Sequence, residues 1–317
     1  MDSRAPAISL WWRGLLCGSL WLLCSVAHAD RLLVLYPEIR EPYLQVFLNI
    51  LEGVRKANGA DNVSTLVLTP DDKPDRLLTW LGRHPVDGVI SLGKRSLNLV
   101  SAVPAHPATV VGAVVMEPAG APFPGISLVP DPETVLTRIH ALLPQVKRVW
   151  TVYQPRTAQW LIARAGTAAA SLNLQLVARP AAEAREMALL YREILTSMNP
   201  ETDALWIAVD GASPDRSVLQ NILEESWKRR LWVFSGNLSD MKKGALFSFY
   251  PDNIAMGADL VTLLKAVRNG NAGDKKVVPV SSLRAAVNLR TADHLNLNFG
   301  KEQRQEFSLM YPPPLDR

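Results

Sequence analysis

The stretch Arg31–Tyr36 reads RLLVLY and Val86–Leu92 reads VDGVISL. Each is a short apolar run that does not alternate with polar residues. Runs of this kind mark strands buried on both faces, as in parallel sheets, whereas a half-exposed strand alternates with period two. Between them, Tyr43–Asn58 places Leu44, Phe47, Leu48, Leu51 and Val54 at helical spacing. Ser64–Thr69 reads as a strand and Lys73–Arg83 as a helix with Leu77, Leu78 and Leu81 on one face. Beyond them, Lys94–Val103 predicts a helix and Ala108–Val115 a strand. Strand and helix alternate, which is the pattern of an open parallel sheet with helices on both faces.

A second series of the same make follows. Pro132–Leu143 is helical in pattern, Arg148–Tyr153 a strand, Thr157–Leu172 a helix and Leu174–Ala178 a strand. Ala182–Met198 is then a helix, Ala204–Val209 a strand, Pro214–Arg229 a helix and Leu231–Ser235 a strand. The remainder comprises a strand at Gly244–Tyr250, a helix at Ile254–Asn269 and short strands at Lys276–Val280 and Ala285–Leu289. These pieces are too few to bury a core of their own and must dock on the two halves. The fold class is α/β, with two doubly wound parallel-sheet lobes and a ligand cleft between them.

At the N-terminus, Arg4 and Arg13 precede an apolar run from Gly14 to Ala27 that ends in Ala27-His28-Ala29. A basic start, a short apolar centre and a small-x-small ending read as a secretory signal peptide over residues 1–29. Both cysteines, Cys17 and Cys24, fall within it. The mature chain then starts at Asp30 and has no thiol or disulfide, which suits a bacterial periplasm. Removing Arg4, Arg13 and Asp2 leaves a surplus of three positive charges from the net +4 of the whole chain. Such a weak surplus excludes an electrostatic nucleic-acid binder of the usual basic kind.

In open α/β sheets ligands sit beyond the carboxyl ends of the strands, and two facing lobes form the natural pocket. That rule selects Glu38 after the first strand, whose carboxylate suits a ligand cation. It selects Gly93 and Ser96 where the third strand turns into a helix, whose free N–H groups suit a carboxylate or phosphate. In the second lobe it selects Tyr153 for stacking or hydrogen bonding, Asp210 for an ammonium group, and Ser235 and Asn237 after the last strand. Ser213-Pro214 reads as an N-cap followed by the first helical residue. Tyr250 and Asp252 stand at an expected crossing between the lobes, where hinge rotation concentrates.

The histidines outside the leader, His84, His106, His140 and His294, form no metal-ligand spacing. No nucleophile elbow, Walker A motif or dinucleotide fingerprint is present. Gly270–Lys275 resembles a phosphate loop only in composition, because it follows a helix. The reading is therefore a non-enzymatic binding protein without a cofactor.

Four stretches carry a family likeness. They are LLVLYPEIREPYLQVFLNILEGVRKANG from Leu32, VDGVISLGKRSLNLV from Val86, LLPQVKRVWTVYQPRTAQWLIARA from Leu142 and RRLWVFSGNLSDMKKGALFSFYPDNIAMGADLVTLLKAV from Arg229. With the ending AVNLRTADHLNLNF, the chain resembles the ABC-transporter substrate-binding proteins of the TrpX-like group, within the type I periplasmic binding fold. The resemblance implies one lobe from residues 30–125 plus 245–279 and a second from 126–244 plus 280–317. It implies a small-molecule ligand, with aromatic amino acids among those of the family, and a membrane permease as partner. It also supports Gly93, Ser96, Tyr153, Asp210 and Asn237 as ligand-binding positions. Family members carry an acid-Pro-Val segment after the fourth strand. Here Val115–Gly125 is shortened and rich in proline, with Glu117-Pro118 in place of the acid-Pro pair. That departure leaves open a membrane sensor, rather than a permease, as the partner.

Overall fold

A computed structural model describes residues 30–208, 214–271 and 277–313. The leader reading at 1–29 and the candidate Asp210 lie outside them. The first lobe opens with β1 (Leu32–Pro37), α1 (Leu44–Asn58), β2 (Val63–Leu68), α2 (Pro74–Arg83), β3 (Gly88–Leu92), α3 (Gly93–Ser101), β4 (Ala108–Val114) and β5 (Gly125–Pro130). The chain continues with α4 (Pro132–Leu142), β6 (Arg148–Tyr153), α5 (Pro155–Ser171), β7 (Gln175–Pro180), α6 (Ala184–Ser197), β8 (Asp203–Ile207) and α7 (Arg216–Arg229). Then come β9 (Trp232–Ser235), α8 (Leu238–Lys243), β10 (Phe247–Pro251), α9 (Asn253–Arg268), β11 (Val277–Val280) and β12 (Leu283–Asn288). The end is α10 (Leu289–His294), α11 (Lys301–Gln305) and β13 (Phe307–Tyr311).

Two sheets result. The first has the order β11-β5-β4-β3-β1-β2 and is parallel throughout. The second has the order β13-β12-β10-β9-β8-β6-β7, with one antiparallel pair, β10 and β12. Continuous apolar runs do lie buried on both faces. Leu32, Val34 and Tyr36 join one cluster, while Leu33 and Leu35 join another on the opposite face. In β8, Trp206 faces the first of these clusters, and Leu205 and Ile207 face a third under α6 and α7. The largest cluster runs from Ile50 and Leu260 in the first lobe, through Val129 and Val280, to Phe247 and Phe249 in the second.

Sheet membership moves the expected crossings. The second lobe is expected to open at residue 126, yet β5 pairs with β4 and β11 in the first sheet. Its proline-rich approach hides it from pattern reading, because Pro122, Pro124, Gly125 and Pro130 read as loop on both sides of its apolar residues. The return to the first lobe is expected at residue 245, yet β10 pairs with β9 and β12 in the second. The chain therefore passes between lobes at 130–132, 251–253 and 280–283. The helix that does return is α9, packed on α1, β3 and β4. Its contact with α1 is very close. A Cβ on Gly53 would stand 1.9 Å from the Ile254 carbonyl oxygen, and one on Gly257 would stand 2.2 Å from that of Ile50.

The three crossings are fastened together. The Asp131 N–H donates to the Val280 carbonyl at 2.8 Å and the Asp252 N–H to that of Ser282 at 2.9 Å. Asp131 caps α4 and takes a two-pronged hydrogen bond from Arg164 of α5. Asp252 caps α9 and accepts from Arg284 Nε of β12 at 2.9 Å. Ser282 donates to Asp259 Oδ2 at 2.6 Å. Burial alone raises the Asp252 carboxyl, but Arg284 and the α9 N–H groups outweigh it and hold the group below its usual range.

Candidate functional site

The carboxyl ends of β1, β3 and β4 deliver the loops at 38–43, 93–96 and 115–120. Those of β6 and β9 deliver the starts of α5 and α8. Between the lobes, Val115, Met116 and Glu117 face Thr157, Ala158, Trp160 and Leu161 of α5 across a cavity of about 160 Å³, with Val129 at its base. This is the first place where both lobes line one space. On the other side of Trp160 a wider groove of about 980 Å³ runs between Pro118–Gly120 and β11 of the first lobe and Glu133, Thr137 and α5 of the second. Trp160 lines both spaces, and its indole N–H donates to the Thr157 carbonyl at 3.1 Å, which fixes the ring.

The expected site residues fare differently. Glu38 is exposed at the mouth of the first lobe, its N–H donating to the Leu68 carbonyl at 2.8 Å. Gly93 adopts φ +83°, a region that favours glycine, and a Cβ there would stand 3.2 Å from the Phe47 ring. Its bare backbone is thus used by packing from α1. Ser96 is fully buried, and its hydroxyl has no hydrogen-bond partner among the described residues. The residue ahead of α3 is Leu92, which offers no side-chain cap, so the first N–H groups of that helix stay available to an acceptor.

In the second lobe Tyr153 is buried against Ala158 and Ile162, and its hydroxyl meets Gln159 Oε1 at 3.1 Å. Ser235 and Asn237 form a local cap. The Asn237 side chain accepts from the Ser239 N–H, and the Ser235 hydroxyl donates to Asp240 Oδ2 at 2.8 Å. The Asn237 N–H returns to Ser235 Oγ at 3.0 Å. Tyr250 joins β10 to β13 through Ser308 at 3.1 Å. The cap of α7 is Asp215, not Ser213; its carboxylate accepts from the Ser217 and Val218 N–H groups, and these bonds hold it below its usual range. None of the seven expected site residues that are described lines the cavity shared by the lobes.

Glu117, Thr157 and Trp160 were passed over as site residues. For Thr157 and Trp160 a signal existed: they stand one turn into the helix that follows a strand end, on the face that α5 turns to the other lobe. Glu117 was read only as a departure from a family pattern. A separate groove of about 430 Å³ between α6 and α7 draws no residue from the first lobe and lies on helices that cover the sheet. Among the described residues, no group of three His, Cys, Asp or Glu side chains could hold a metal ion. No helix among them is long and apolar enough to cross a membrane.

A sequence profile described as ABC transporter substrate binding protein matches residues 98–303. No curated protein matches the chain by sequence. Among solved structures, the ligand-free, open form of CD0873, a substrate binding protein with adhesive properties from Clostridium difficile, is similar with a TM-score of 0.62 at 12% identity. The match covers 88% of this chain and 98% of that one. An ABC domain in complex with L-Trp from Streptococcus pneumonia gives 0.53 at 16%, covering 89% and 99%. A conserved domain protein from Vibrio cholerae gives 0.50 at 17%, with the same coverage. At these identities the likeness shows the fold, which is the two-lobed type I periplasmic binding arrangement.

Proposed function

The chain belongs to the ABC transporter substrate binding protein family, and from that premise we propose that it captures a small solute between its lobes in the periplasm and presents it to a membrane permease. The observation that supports this most is the cavity shared by the end of β4 and the first turns of α5, beside three chain crossings. A solute there touches both lobes at once. It favours the closed state because only that state offers both sets of contacts, which is the differential affinity a shift in population requires. Glu117 and Trp160 stand at the centre of the site, with Glu38 and the α3 turn at Gly93–Ser96 at its margins. Tyr153, Ser235, Asn237 and Tyr250 act behind it, holding the loops that form the second lobe's wall.

The test is a thermal-shift screen of the purified protein against amino acids, amines, peptides, sugars, nucleosides and small anions. Ligand at 100 times its Kd stabilises by about 2.7 kcal/mol, a shift of several degrees for a chain of this size. X-ray scattering with the best ligand should then show a smaller radius of gyration. An unchanged scattering profile with a ligand of proven affinity would remove the closure mechanism.

A further inference from the structure

The second lobe carries a groove that the interlobe site does not use. Helices α6 and α7 connect β7 to β8 and β8 to β9, strands that all run parallel. The two helices therefore run the same way, and both pack on one face of the sheet, in a cluster with Leu205 and Ile207 of β8. Between them lies a space of about 430 Å³, within the roughly 300–1,000 Å³ of small-molecule sites. Tyr191 and Leu195 of α6 and Val218 and Ile222 of α7 give it apolar walls that continue into the core cluster.

The groove is cationic where the helices end. Arg229, the last residue of α7, reaches across to the end of α6, where its Nη2 donates to the Met198 carbonyl at 3.5 Å. Its Nη1 is buried and has no hydrogen-bond partner among the described residues. A buried charged N–H without an acceptor is costly, so this nitrogen favours an anion brought to it. Arg192 also lines the groove and has no acid partner among the described residues. Both acids of the lining are engaged: Glu225 accepts from Lys228 at 2.8 Å and Glu224 from Gln220 at 2.8 Å. Arg192, Arg229 and Lys228 against Glu224 and Glu225 leave one positive charge over. Apolar walls beside one surplus guanidinium match an apolar body with a single carboxylate, which a guanidinium can hold by two parallel hydrogen bonds. A neutral solute would leave the charge unanswered, and an amine would be repelled by it.

We propose that this groove is a second binding site, on the second lobe alone, for a monocarboxylate with an apolar body. The carboxylate lies on Arg229 and the body against Tyr191 and Ile222. No residue of the first lobe takes part, so the site stands whether or not the interlobe cavity takes a solute.

Titration calorimetry with 2-naphthoate, 2-naphthamide and acetate tests it. Naphthoate should bind about tenfold or more tighter than naphthamide, since the two differ in one charge-assisted contact. It should exceed acetate by at least about tenfold, since acetate has no body to bury. Arg229→Met keeps the stem of the side chain and should bring naphthoate to the level of naphthamide. Ala188→Trp fills the groove from α6 without touching a charge and should abolish binding of both. If Arg229→Met does not fold, the amide comparison and Ala188→Trp still decide. No binding of naphthoate, equal affinity for naphthoate and naphthamide, or unchanged naphthoate binding in either folded variant would each overturn the proposal. The last of these would put the carboxylate elsewhere on the molecule.

Discussion

The two lobes share a plan but are held together by different means. The first is assembled from separate chain segments, residues up to Pro130 and the returning α9 and β11. Its critical contact is steric: α1 and α9 meet at Gly53 and Gly257, where neither backbone leaves room for a methyl group. The ion pairs Lys56–Glu52 and Arg31–Asp87 of the first lobe lie on its surface. The second lobe has a buried polar centre instead. Asp203, at the start of β8, is fully buried and accepts from Arg148 Nε and Nη2, from Trp150 Nε1 at 2.9 Å and from the Asn199 N–H at 3.0 Å. It ties β6, β8 and the end of α6 in one place. One lobe thus depends on the absence of side chains and the other on a single charge.

That contrast can be broken from either side, and the tryptophans report which side has moved. Trp80 is the only tryptophan in the first lobe, while Trp150, Trp160, Trp206, Trp227 and Trp232 are in the second. The largest effect should come from Gly53→Val. The added side chain meets backbone rather than a movable side chain, so α1 and α9 must separate, at a cost of about 3 kcal/mol or more. In urea, the Trp80 signal, taken as the difference between Gly53→Val with and without Trp80→Phe, should change first, ahead of the signal from the second-lobe tryptophans. Loss of both signals together would show that the lobes unfold as one unit.

Asp203→Ala should act in the opposite sense. It strands a buried indole N–H, a backbone N–H and a guanidinium. Breaking a buried pair costs about 3–5 kcal/mol, reduced here to about 2 kcal/mol because Arg148 keeps a third of its surface in water. The second-lobe fluorescence should shift to lower urea while Trp80 stays in place. A variant as stable as the parent would show that the polar centre orders the lobe without stabilising it.

Acid should have the smallest effect and should also fall on the second lobe. Burial raises the Asp203 carboxyl, but hydrogen bonds from Arg148, the Asn199 N–H and Trp150 overcome it and leave the group below its ordinary value of 3.8. A depressed carboxylate stabilises fully above the unfolded value, and the contribution is lost as pH falls through the folded one. Stability of the second lobe should therefore decline below about pH 4. The decline should be shallower in Asp203→Asn, which has no proton to bind there. An identical pH profile in that variant would assign acid sensitivity elsewhere, with the capping Asp252 next in line.

Much of the fold was legible because apolar periodicity responds to local burial. The runs at 32–37 and 148–153 are buried on both faces and read so directly. Gly125–Pro130 was not legible, since Pro122, Pro124, Gly125 and Pro130 frame its few apolar residues with loop signals. The strand at 247–251 was legible as a strand but not as to its sheet, because hydrogen-bond partners distant in sequence leave no local mark. The site was harder still. Ser235 and Asn237 are the polar residues that strand-end logic must select, yet the same donors and acceptors satisfy a helix cap in the loop itself.

By itself, the sequence determined two doubly wound lobes, a weak net charge, the strand-end loops and a family likeness, since all of these follow from local composition and spacing. Only the tertiary structure decided which sheet receives β5 and β10, that α1 and α9 meet through two glycines, and that Trp160 faces Glu117 across the lobes. The physical reason is the same in each case. These features depend on backbone and side chains brought together over long sequence separations, where packing space and unpaired polar groups, rather than periodicity, choose the partner.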